Sequence, residues 1–458
     1  MNSLVIVAFL LVLLSIGYQV GLTRGRTVAA TARRDMHSRP NYHGLLVALW
    51  CVVPAAAVLL LWAVFSGGIV EGHVRSFLPP EVLDGDPNAL RDTLQRIEQI
   101  ASGYGVIGEV QPWETAAGQS LASFRTTTFW SVIAVAAIFG LAGLLLTARR
   151  IAPRLRARNE FEMAVRVALV ACSAIAILTT VGIVASLLTE ALRFFSFVSP
   201  VDFFFGTVWN PGFSTTGDGA TGEYGLLPLL WGTVMISAIA MCVAIPVGLL
   251  SAIYMAEYAH PRVRAVAKPV IEILAGIPSV IYGVFALITL GPLLSDLGAL
   301  VGIQIRATSA LTAGIAMGLM IVPFVSSLSD DIITQVPRAM RDGSLGIGAT
   351  KSETIRRVVL PAALPGIVGA FMLAISKAFG ETMIVVLAAG NAPVLRANPF
   401  DAASTVTVSI VNQLTGDTNF ASPQSLVAFA LGLTLFGMTL ILNVIALYVV
   451  RKYREQYE

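Results

Sequence analysis

Hydrophobic residues along this chain occur in long unbroken runs rather than in short periodic stripes. Nine of the runs approach or exceed the roughly 20 residues that a helix needs to cross a bilayer. They lie at about 3–20, 44–67, 127–147, 163–189, 226–257, 269–292, 308–328, 363–390 and 426–450. The pattern predicts an all-α integral membrane protein with about nine transmembrane helices. Leucine and isoleucine at helical spacing predict one further short amphipathic helix over 87–103.

The amino-acid composition is that of a membrane protein. Of the 458 residues 56% are hydrophobic and only 12% are charged, whereas charged residues make up about a quarter of a soluble protein. A soluble enzyme is therefore excluded. A net charge of +3 is too small to indicate binding to nucleic acid. The three cysteines lie inside apolar runs and the four histidines lack ligand spacing, so neither a disulfide framework nor a metal site is predicted.

Lysine and arginine are concentrated in alternate connections between the runs. These connections hold 22 of the 30 basic residues, and the opposite connections hold 7. Because basic residues accumulate on the cytoplasmic side of a membrane, we predict that the N-terminus lies outside and the C-terminus in the cytoplasm. No cation precedes the first apolar run, so we interpret that run as a retained span rather than a cleaved signal peptide.

Three parts are predicted along the chain. Residues 1–160 form an N-terminal extension with three spans and an outer segment at 67–126. Residues 161–225 hold the fourth span and an outer loop, and residues 226–452 hold the remaining spans. The outer loop carries seven clustered aromatic residues, namely Phe194, Phe195, Phe197, Phe203, Phe204, Phe205 and Trp209. We interpret them as anchors at the membrane interface, with a partner-binding surface as the alternative.

The inner connection between the seventh and eighth runs carries the most informative motif. Residues 337–361 contain an acid and two small residues, then a glycine, then an aliphatic residue and Leu-Pro: Asp342, Gly343, Ser344, Gly348, Val358, Leu360 and Pro361. This order resembles the coupling motif of ABC importer permeases, which usually begins Glu-Ala-Ala. The resemblance implies that this loop docks on a partner ATPase. The alternative is an ordinary basic cytoplasmic loop.

The residues of the loop also indicate its physical form. A glycine between two short helices permits the tight turn and the close approach that a docked hairpin needs. Gly343 lowers the helix propensity of the first segment by up to about 1 kcal/mol relative to alanine. The stretch 346–352 resembles a phosphate-binding loop only faintly, because Thr350 stands where such a loop has glycine. We therefore predict a non-enzymatic subunit that binds no cofactor, with ATP and Mg²⁺ used by the partner ATPase.

A lysine lies deep within the eighth predicted span. Lys377 is about 14 residues from either end of 363–390, too far for its side chain to reach a headgroup. Glu381 follows at i+4, on the same face of a continuous helix. Either the two residues neutralise each other as a structural pair, or Lys377 meets a translocating anion and Glu381 holds the lysine when the path is empty.

The sixth predicted span is interrupted by Gly276 and Pro278. A half-helix that begins near Pro278 presents free N–H groups to an anion, and Ser279 and Tyr282 add hydroxyl donors. A simple proline kink is the alternative.

Three stretches together resemble one family, the PstC permease subunits of the phosphate-specific ABC importer. They are 224–233, 271–283 and 377–383, followed by Gly390-Asn391. The resemblance covers 163–458 and implies a type I importer core with the MetI-like fold. It also implies a substrate path at Lys377, Glu381 and Thr382. In that family the position of Lys377 is more often arginine, whose bidentate fork a lysine lacks.

The resemblance implies the rest of a transport machine in the bacterial inner membrane. Its other members are a second permease subunit like PstA, an ATPase dimer like PstB, a periplasmic phosphate-binding protein like PstS and a regulator like PhoU. We predict a permease subunit that lies in membrane lipid and imports inorganic phosphate. It is expected to bind no nucleic acid. The alternatives are a permease for another oxyanion, such as phosphonate or sulfate, and a membrane component that mainly serves phosphate-starvation signalling.

Overall fold

The computed structural model describes residues 3–31, 36–83, 87–103, 106, 110–211, 222–416 and 423–453. Within these residues nine helices are long and apolar enough to cross a membrane. The prediction of an all-α integral membrane protein is confirmed. Contacts divide the chain into two compact units, residues 1–177 and 178–458. The division falls inside one helix, and the predicted boundary at 160 stays a prediction.

The first unit contains five helices and the first half of a sixth. They are α1 (Ser3–Thr31), α2 (Pro40–Arg75), α3 (Pro80–Leu83), α4 (Pro87–Ala101), α5 (Pro112–Arg149) and α6 (Ala157–Phe195). Small residues let α1 and α2 approach closely, since a Cβ atom added at Gly17 would lie 2.9 Å from the Cα of Ala48. The predicted amphipathic helix is confirmed as α4, whose buried Ile97 packs with Leu121 of α5.

An ion pair and a helix cap hold α4 against the start of α5. Nε of Arg96 lies 3.1 Å from Oε1 of Glu114. The same carboxylate accepts a hydrogen bond from the backbone N–H of Gln111 and so caps α5. The predicted outer segment is thus an ordered helical extension of the two spans that flank it, within the residues described.

The second unit begins with the second half of α6, which is followed by short elements and the remaining membrane helices. The first are α7 (Pro200–Phe205), an antiparallel pair β1 (Trp209–Asn210) and β2 (Glu223–Tyr224), α8 (Leu227–Ile253), α9 (Pro261–Ala275), α10 (Ser279–Phe285) and α11 (Gly291–Leu300). The rest are α12 (Ala310–Gln335), α13 (Arg338–Gly346), α14 (Lys351–Thr354), α15 (Leu360–Phe379), α16 (Met383–Ala388), α17 (Val406–Gly416) and α18 (Pro423–Tyr453). Among the residues that the structure describes, three π-helical turns join neighbouring helices, at Tyr254–Tyr258, Ala286–Leu290 and Ile355–Val359.

The core of the second unit lies between α8 and α12. Ile236 of α8 and Met317 and Ile321 of α12 are fully buried there, among alanines that both helices contribute. A Cβ atom added at Gly318 would lie 2.9 Å from the carbonyl oxygen of Ala240. These small residues let the two backbones come close, which is how helices pack where lipid supplies no hydrophobic driving force.

Part of the aromatic cluster is core rather than membrane anchor. Phe194, Phe203 and Trp209 are buried, and Phe203 and Trp209 meet Phe194 or Tyr224 edge to face. The anchor interpretation is therefore wrong for these three residues, because α7 and the β pair fold back over them. It stays a prediction for the exposed members, Phe197, Phe204 and Phe205. Residues 212–221 of the predicted segment 161–225 lie outside the described residues.

The sixth and eighth predicted spans are wrong in their bounds. The predicted span 269–292 begins too early, because α9 ends at Ala275 and the candidate span is Ser279–Leu300. Pro278 has no N–H and disfavours helical backbone in the residue before it, which ends α9 there. The predicted span 363–390 is not one helix, since α15 ends at Phe379 and α16 begins at Met383.

Candidate functional site

The two interrupted helices of the second unit meet each other. The helix that follows the first break, α10, packs on the helix that follows the second, α16. A Cβ atom added at Gly283 would lie 2.7 Å from Cδ1 of Leu387 and 3.3 Å from Cα of Ile384. The contact therefore depends on the missing side chain of Gly283. Residues about 100 positions apart in the sequence are therefore brought together. Each of the two contacting helices, α10 and α16, follows an interruption of a longer helix.

At the first break, tyrosine ties the two helix ends together. The hydroxyl of Tyr282 in α10 donates to the carbonyl oxygen of Leu274 in α9, at 3.3 Å. Gly276 and Pro278 lie in the interruption between them, and Ser279 is the first residue of α10. The Tyr282 hydroxyl is thus engaged across the break, while its ring packs against the core.

At the second break, Lys377 and Glu381 are not neighbours on one helix face. Because α15 ends at Phe379, Glu381 lies outside the helix, and the interpretation of an i, i+4 pair is wrong. Among the ion pairs of the described residues, none joins Lys377 to Glu381. Oε1 of Glu381 instead accepts a hydrogen bond from the N–H of Met383, at 3.1 Å, and so caps the start of α16.

Lys377 lies over an aromatic ring. Its ammonium nitrogen is 5.0 Å from the ring centre of Phe324, which follows Pro323 in α12. The lysine side chain is exposed. Such a cation–π contact holds a cation without neutralising it. Thr382 lies between the two helices, and its hydroxyl reaches the carbonyl oxygen of Gly380 at 3.4 Å.

The connection after α16 is fixed by an asparagine that sequence reasoning did not single out for a role. Gly390 and Asn391 both have left-handed backbone, with φ of 85° and 51°. Oδ1 of Asn391 accepts hydrogen bonds from Ser404 and Asn412, each at 3.1 Å. The hydroxyl of Thr407 donates to the carbonyl oxygen of Glu381 at 3.0 Å. The start of α17, where this connection ends, is therefore bonded directly to the second break.

The predicted coupling loop forms a helical hairpin, α13 followed by α14. Gly348 lies at its turn with φ of 91°, a conformation that favours glycine. The hydroxyls of Ser344 and Thr354 are 2.9 Å apart and join the two arms. Ile347 at the tip is 88% exposed. Asp342 and Gly343 lie on the exposed face of α13, Val358 is half-buried, and Leu360 and Pro361 begin α15.

The hairpin is anchored on the second unit by an arginine. Arg341 lies 3.0 Å from Glu257 in the π-helical turn after α8, and both side chains are largely buried. The same guanidinium donates to the carbonyl oxygens of Ile333 and Val336 at the end of α12. Lys351 of α14 lies over the ring of Tyr258. The hairpin therefore contacts the ends of both central helices.

A buried carboxylate close by joins α9 to α12. Asp330 is fully buried and accepts two hydrogen bonds of 3.0 Å from Arg264 and one of 3.0 Å from Lys268. Lys268 also donates to Asp331 at 2.7 Å. Hydrogen bonds to Asp331 and Asp330 raise the pKa of Lys268 above its ordinary value. The sequence signal for this contact is the pair of acidic residues, Asp330 and Asp331, just after the apolar run 308–328.

One continuous helical rod connects the hairpin to Lys377. From Lys351 to Phe379 the chain is helical without a break, through α14, a π-helical turn and α15. Its 29 residues span roughly 43 Å at 1.5 Å per residue. The rod therefore joins the hairpin directly to the break beside Lys377. Ser376 adds a contact to α18 by donating to Asn443 at 3.0 Å.

Comparison with known proteins finds two families along the chain. Residues 7–179 match the family described as "Phosphate ATP-binding cassette transporter". Residues 244–455 match the family described as "Binding-protein-dependent transport system inner membrane component". One solved structure with a similar fold is a bacterial alginate ABC transporter bound to its periplasmic protein. It has 14% identity and a TM-score of 0.46, over 65% of this chain and 98% of that one.

Curated relatives agree with this result. The chain is 34% identical over 293 residues to a "Probable ABC transporter permease protein YqgH" of Bacillus subtilis, covering 64% of this chain and 91% of the relative. It is also 34% identical over 278 residues to the "Phosphate transport system permease protein PstC" of Mesorhizobium japonicum, covering 57% and 81%. The fold and these matches define a multi-pass permease subunit of an ABC transporter. The chain belongs to the PstC family of such permeases.

Proposed function

We propose that this chain forms half of the path by which an ABC importer carries inorganic phosphate across the bacterial inner membrane. ATP hydrolysis on a partner subunit drives the transport. The observation that carries the proposal is the position of Lys377, a cation in the last turn of α15 beside the second break that forms no ion pair among the described residues. A lysine on a membrane helix without a carboxylate partner is a natural contact for an anion. Relatives named as phosphate permeases support phosphate as that anion.

The substrate path in this proposal runs past the two breaks. Lys377 contacts the anion, and Glu381 shapes the second break by capping α16. Thr382 and Ser279 offer hydroxyl groups on the two sides of the junction, and Tyr282 holds the first break in shape by its bond across it. When the path is empty, Lys377 lies over its aromatic ring. An incoming anion can then bind the lysine without displacing a carboxylate.

Coupling to ATP in this proposal starts at the hairpin. The exposed tip with Ile347 enters a groove of the partner ATPase, and Asp342, Gly343 and Ser344 line the docked face. Closure of the ATPase moves α13 and α14, and the rod to Phe379 carries that movement to the second break. Arg341 passes the same movement to the ends of α8 and α12. The path thereby changes from outward to inward facing.

The full machine has further subunits. A second permease like PstA completes the path, an ATPase dimer like PstB binds ATP and Mg²⁺, and a periplasmic phosphate-binding protein like PstS delivers the substrate. A regulator like PhoU joins them. The hairpin and the basic connections face the cytoplasm with the C-terminus, and the N-terminus lies in the periplasm, in accordance with the distribution of basic residues. In this proposal the chain itself binds no cofactor.

Uptake of labelled phosphate tests this function. Cells that lack the native gene receive the wild-type chain or the variants Lys377→Ala, Lys377→Arg, Glu381→Ala and Gly348→Asp, with membrane levels measured. We expect Lys377→Ala, Glu381→Ala and Gly348→Asp to abolish uptake at normal membrane levels. Lys377→Arg keeps the cation and is expected to retain most of it. Normal uptake by Lys377→Ala would contradict the proposed path.

Competition and truncation separate the alternatives. Excess unlabelled phosphate should abolish uptake, whereas excess sulfate or phosphonate should leave it unchanged. Competition by sulfate or phosphonate would instead indicate a permease for another oxyanion. A chain without residues 1–160 that imports phosphate but no longer represses phosphate-starvation genes would assign signalling to the extension. Loss of both activities would leave transport as the function of the whole chain.

A further inference from the structure

Two arginines from different connections meet at one carboxylate. Arg306 precedes α12, and Arg396 lies between α16 and α17. Nε of Arg306 is 3.9 Å from Oδ1 of Asp401, and Nη1 of Arg396 is 3.7 Å from Oδ2. Both distances exceed that of a hydrogen bond. In the part of the chain that the structure describes, no hydrogen bond from either guanidinium is found. Two cations therefore flank one carboxylate with their donors uncommitted.

The backbone that carries these side chains is fixed. The N–H of Arg306 donates to the carbonyl oxygen of Phe400 at 3.1 Å, and the N–H of Ala310 donates to that of Asp401 at 3.0 Å. Nε1 of Trp231 donates to the carbonyl oxygen of Arg396 at 2.8 Å. The two arginines are thus positioned by the fold, although their side chains are 66% and 61% exposed.

This connection is bonded to the end of α16, and the start of α17 just after it reaches the second break. The N–H of Ala403, two residues after Asp401, donates to the carbonyl oxygen of Ala389 at the end of α16. Thr407 donates to the carbonyl oxygen of Glu381. A short stretch of hydrogen-bonded chain therefore links the arginine pair to the proposed substrate path.

Stability does not explain this arrangement. Exposed ion pairs contribute little to stability even at closer distances. Arginine is also the residue that the positive-inside rule disfavours on the outer side, where both connections are predicted to lie. Its planar fork matches the oxygens of a phosphate, which offers more charge and more acceptors than a carboxylate. A pair of such forks on the outer side raises the local concentration of anions.

We propose that Arg306 and Arg396 form an outer entry site for a tetrahedral oxyanion, phosphate. The anion displaces the Asp401 carboxylate from between the two guanidinium groups, and Asp401 takes the arginines back once the anion has moved inward. The inference rests on the proposed function, because it places a first binding site ahead of Lys377. An acidic side chain of a docking binding protein offers similar chemistry, and the experiment separates the two sources.

Phosphate binding to the purified full-length chain gives the first test. Inorganic phosphate is titrated at constant ionic strength, and Trp231 fluorescence is isolated by subtracting the signal of Trp231→Phe. We expect a saturable change that Arg306→Gln and Arg396→Gln each weaken about tenfold in affinity, equivalent to about 1.4 kcal/mol. Asp401→Asn should tighten binding, because it removes the competing carboxylate. Arg193→Gln, which removes an arginine paired with Glu190, serves as the matched control.

The sign of the Asp401→Asn effect decides between a binding site and a structural cluster. If Asp401→Asn weakens binding as the arginine variants do, or if phosphate leaves the Trp231 signal unchanged, the entry site is wrong. The second test measures uptake by the assembled transporter in proteoliposomes at increasing concentrations of phosphate-loaded binding protein. We expect the arginine variants to lower the maximal rate at an unchanged half-saturating concentration. A raised half-saturating concentration with an unchanged maximal rate would mean a docking contact and overturn the proposal.

The proposed function and the entry site can be disproved by different results. If the wild-type transporter imports no phosphate, the proposed function is wrong whatever the variants do. If the wild type imports phosphate and the arginine variants match it in binding and in uptake, only the entry site is wrong.

Discussion

The ammonium nitrogen of Lys377 lies 5.0 Å from the centre of the Phe324 ring, on the helix that forms the core of the second unit. This contact replaces the carboxylate partner that helical spacing would give the lysine. An aromatic face attracts a cation by its quadrupole and leaves its ammonium donors free. The cation is therefore held in place and still available to an incoming anion.

Removing this ring should affect transport more than folding. We expect Phe324→Leu to reduce the rate of phosphate uptake about two- to fivefold, the equivalent of the 0.5 to 1 kcal/mol typical of an exposed cation–π contact. Phe324→Tyr keeps the ring and should retain the wild-type rate. Uptake normalised to membrane level is the measurement. Equal rates for the leucine and tyrosine variants would mean that the ring does not position Lys377.

The contact between the two interrupted helices should tolerate no side chain at Gly283. A Cβ atom there meets Leu387 at 2.7 Å and the carbonyl oxygen of Met383 at 3.2 Å. We expect Gly283→Ala to lower the free energy of unfolding by about 1 to 3 kcal/mol, as overpacking does. At Gly276 the added atom meets only a carbonyl oxygen at 3.3 Å, so Gly276→Ala is the control. Thermal unfolding of both purified variants in detergent checks the difference.

Local features of the sequence predict much of this fold, because a helix begins, continues or ends according to the residues within a few positions. The apolar runs reveal the nine candidate spans, and Pro278 indicates where a helix ends. At the second break the signal is weaker, since Gly380 lies within an apolar run that reads as continuous. The helix α15 nevertheless ends at Phe379, and the Glu381 carboxylate accepts a hydrogen bond from the first N–H of α16. Glu381 therefore lies outside α15, and the i, i+4 relation with Lys377 is lost.

Contacts between distant residues could not be predicted from the same signals. Arg341 and Glu257 are 84 residues apart, and Arg264 and Asp330 are 66 apart. Only the packing of α8, α9 and α12 decides which acid each base meets. The coupling motif was visible because its residues lie within one short loop. The attachment of the hairpin to α8 and α12, by contrast, depends on residues far apart in the sequence, which no spacing rule connects.

The turn of the coupling hairpin should require glycine at position 348. Its φ of 91° strains any L-residue, although no neighbouring atom lies within 4 Å of an added Cβ. We expect Gly348→Ala to reduce the ATPase activity that substrate delivery stimulates in the assembled transporter. Gly346 also has open space but ends α13 with helical backbone, so Gly346→Ala should be neutral or slightly stabilising. If both variants hydrolyse ATP like the wild type, the turn geometry does not matter for coupling.

The buried carboxylate of Asp330 should be needed for the structure around α9, whereas its neighbour should not. Asp330 is 0% exposed and bonds both Arg264 and Lys268, while Asp331 is 51% exposed and bonds Lys268 alone. Removing one partner of a buried ion pair leaves uncompensated charge and costs about 3 to 5 kcal/mol. Asp330→Asn should therefore lower the unfolding temperature and the membrane level strongly, and Asp331→Asn only slightly.

Alkaline titration tests the same cluster from the side of the lysine. The folded state raises the pKa of Lys268 above its ordinary 10.5. The stabilisation by this lysine is therefore complete below pH 10.5 and is lost only as the pH rises through the raised value. Between pH 7 and 9 the unfolding temperature should not change on account of this group. In Lys268→Met the loss of stability above pH 10.5 should be smaller than in the wild type. An equal loss in both proteins would show that Lys268 gains no stabilisation from its two aspartates.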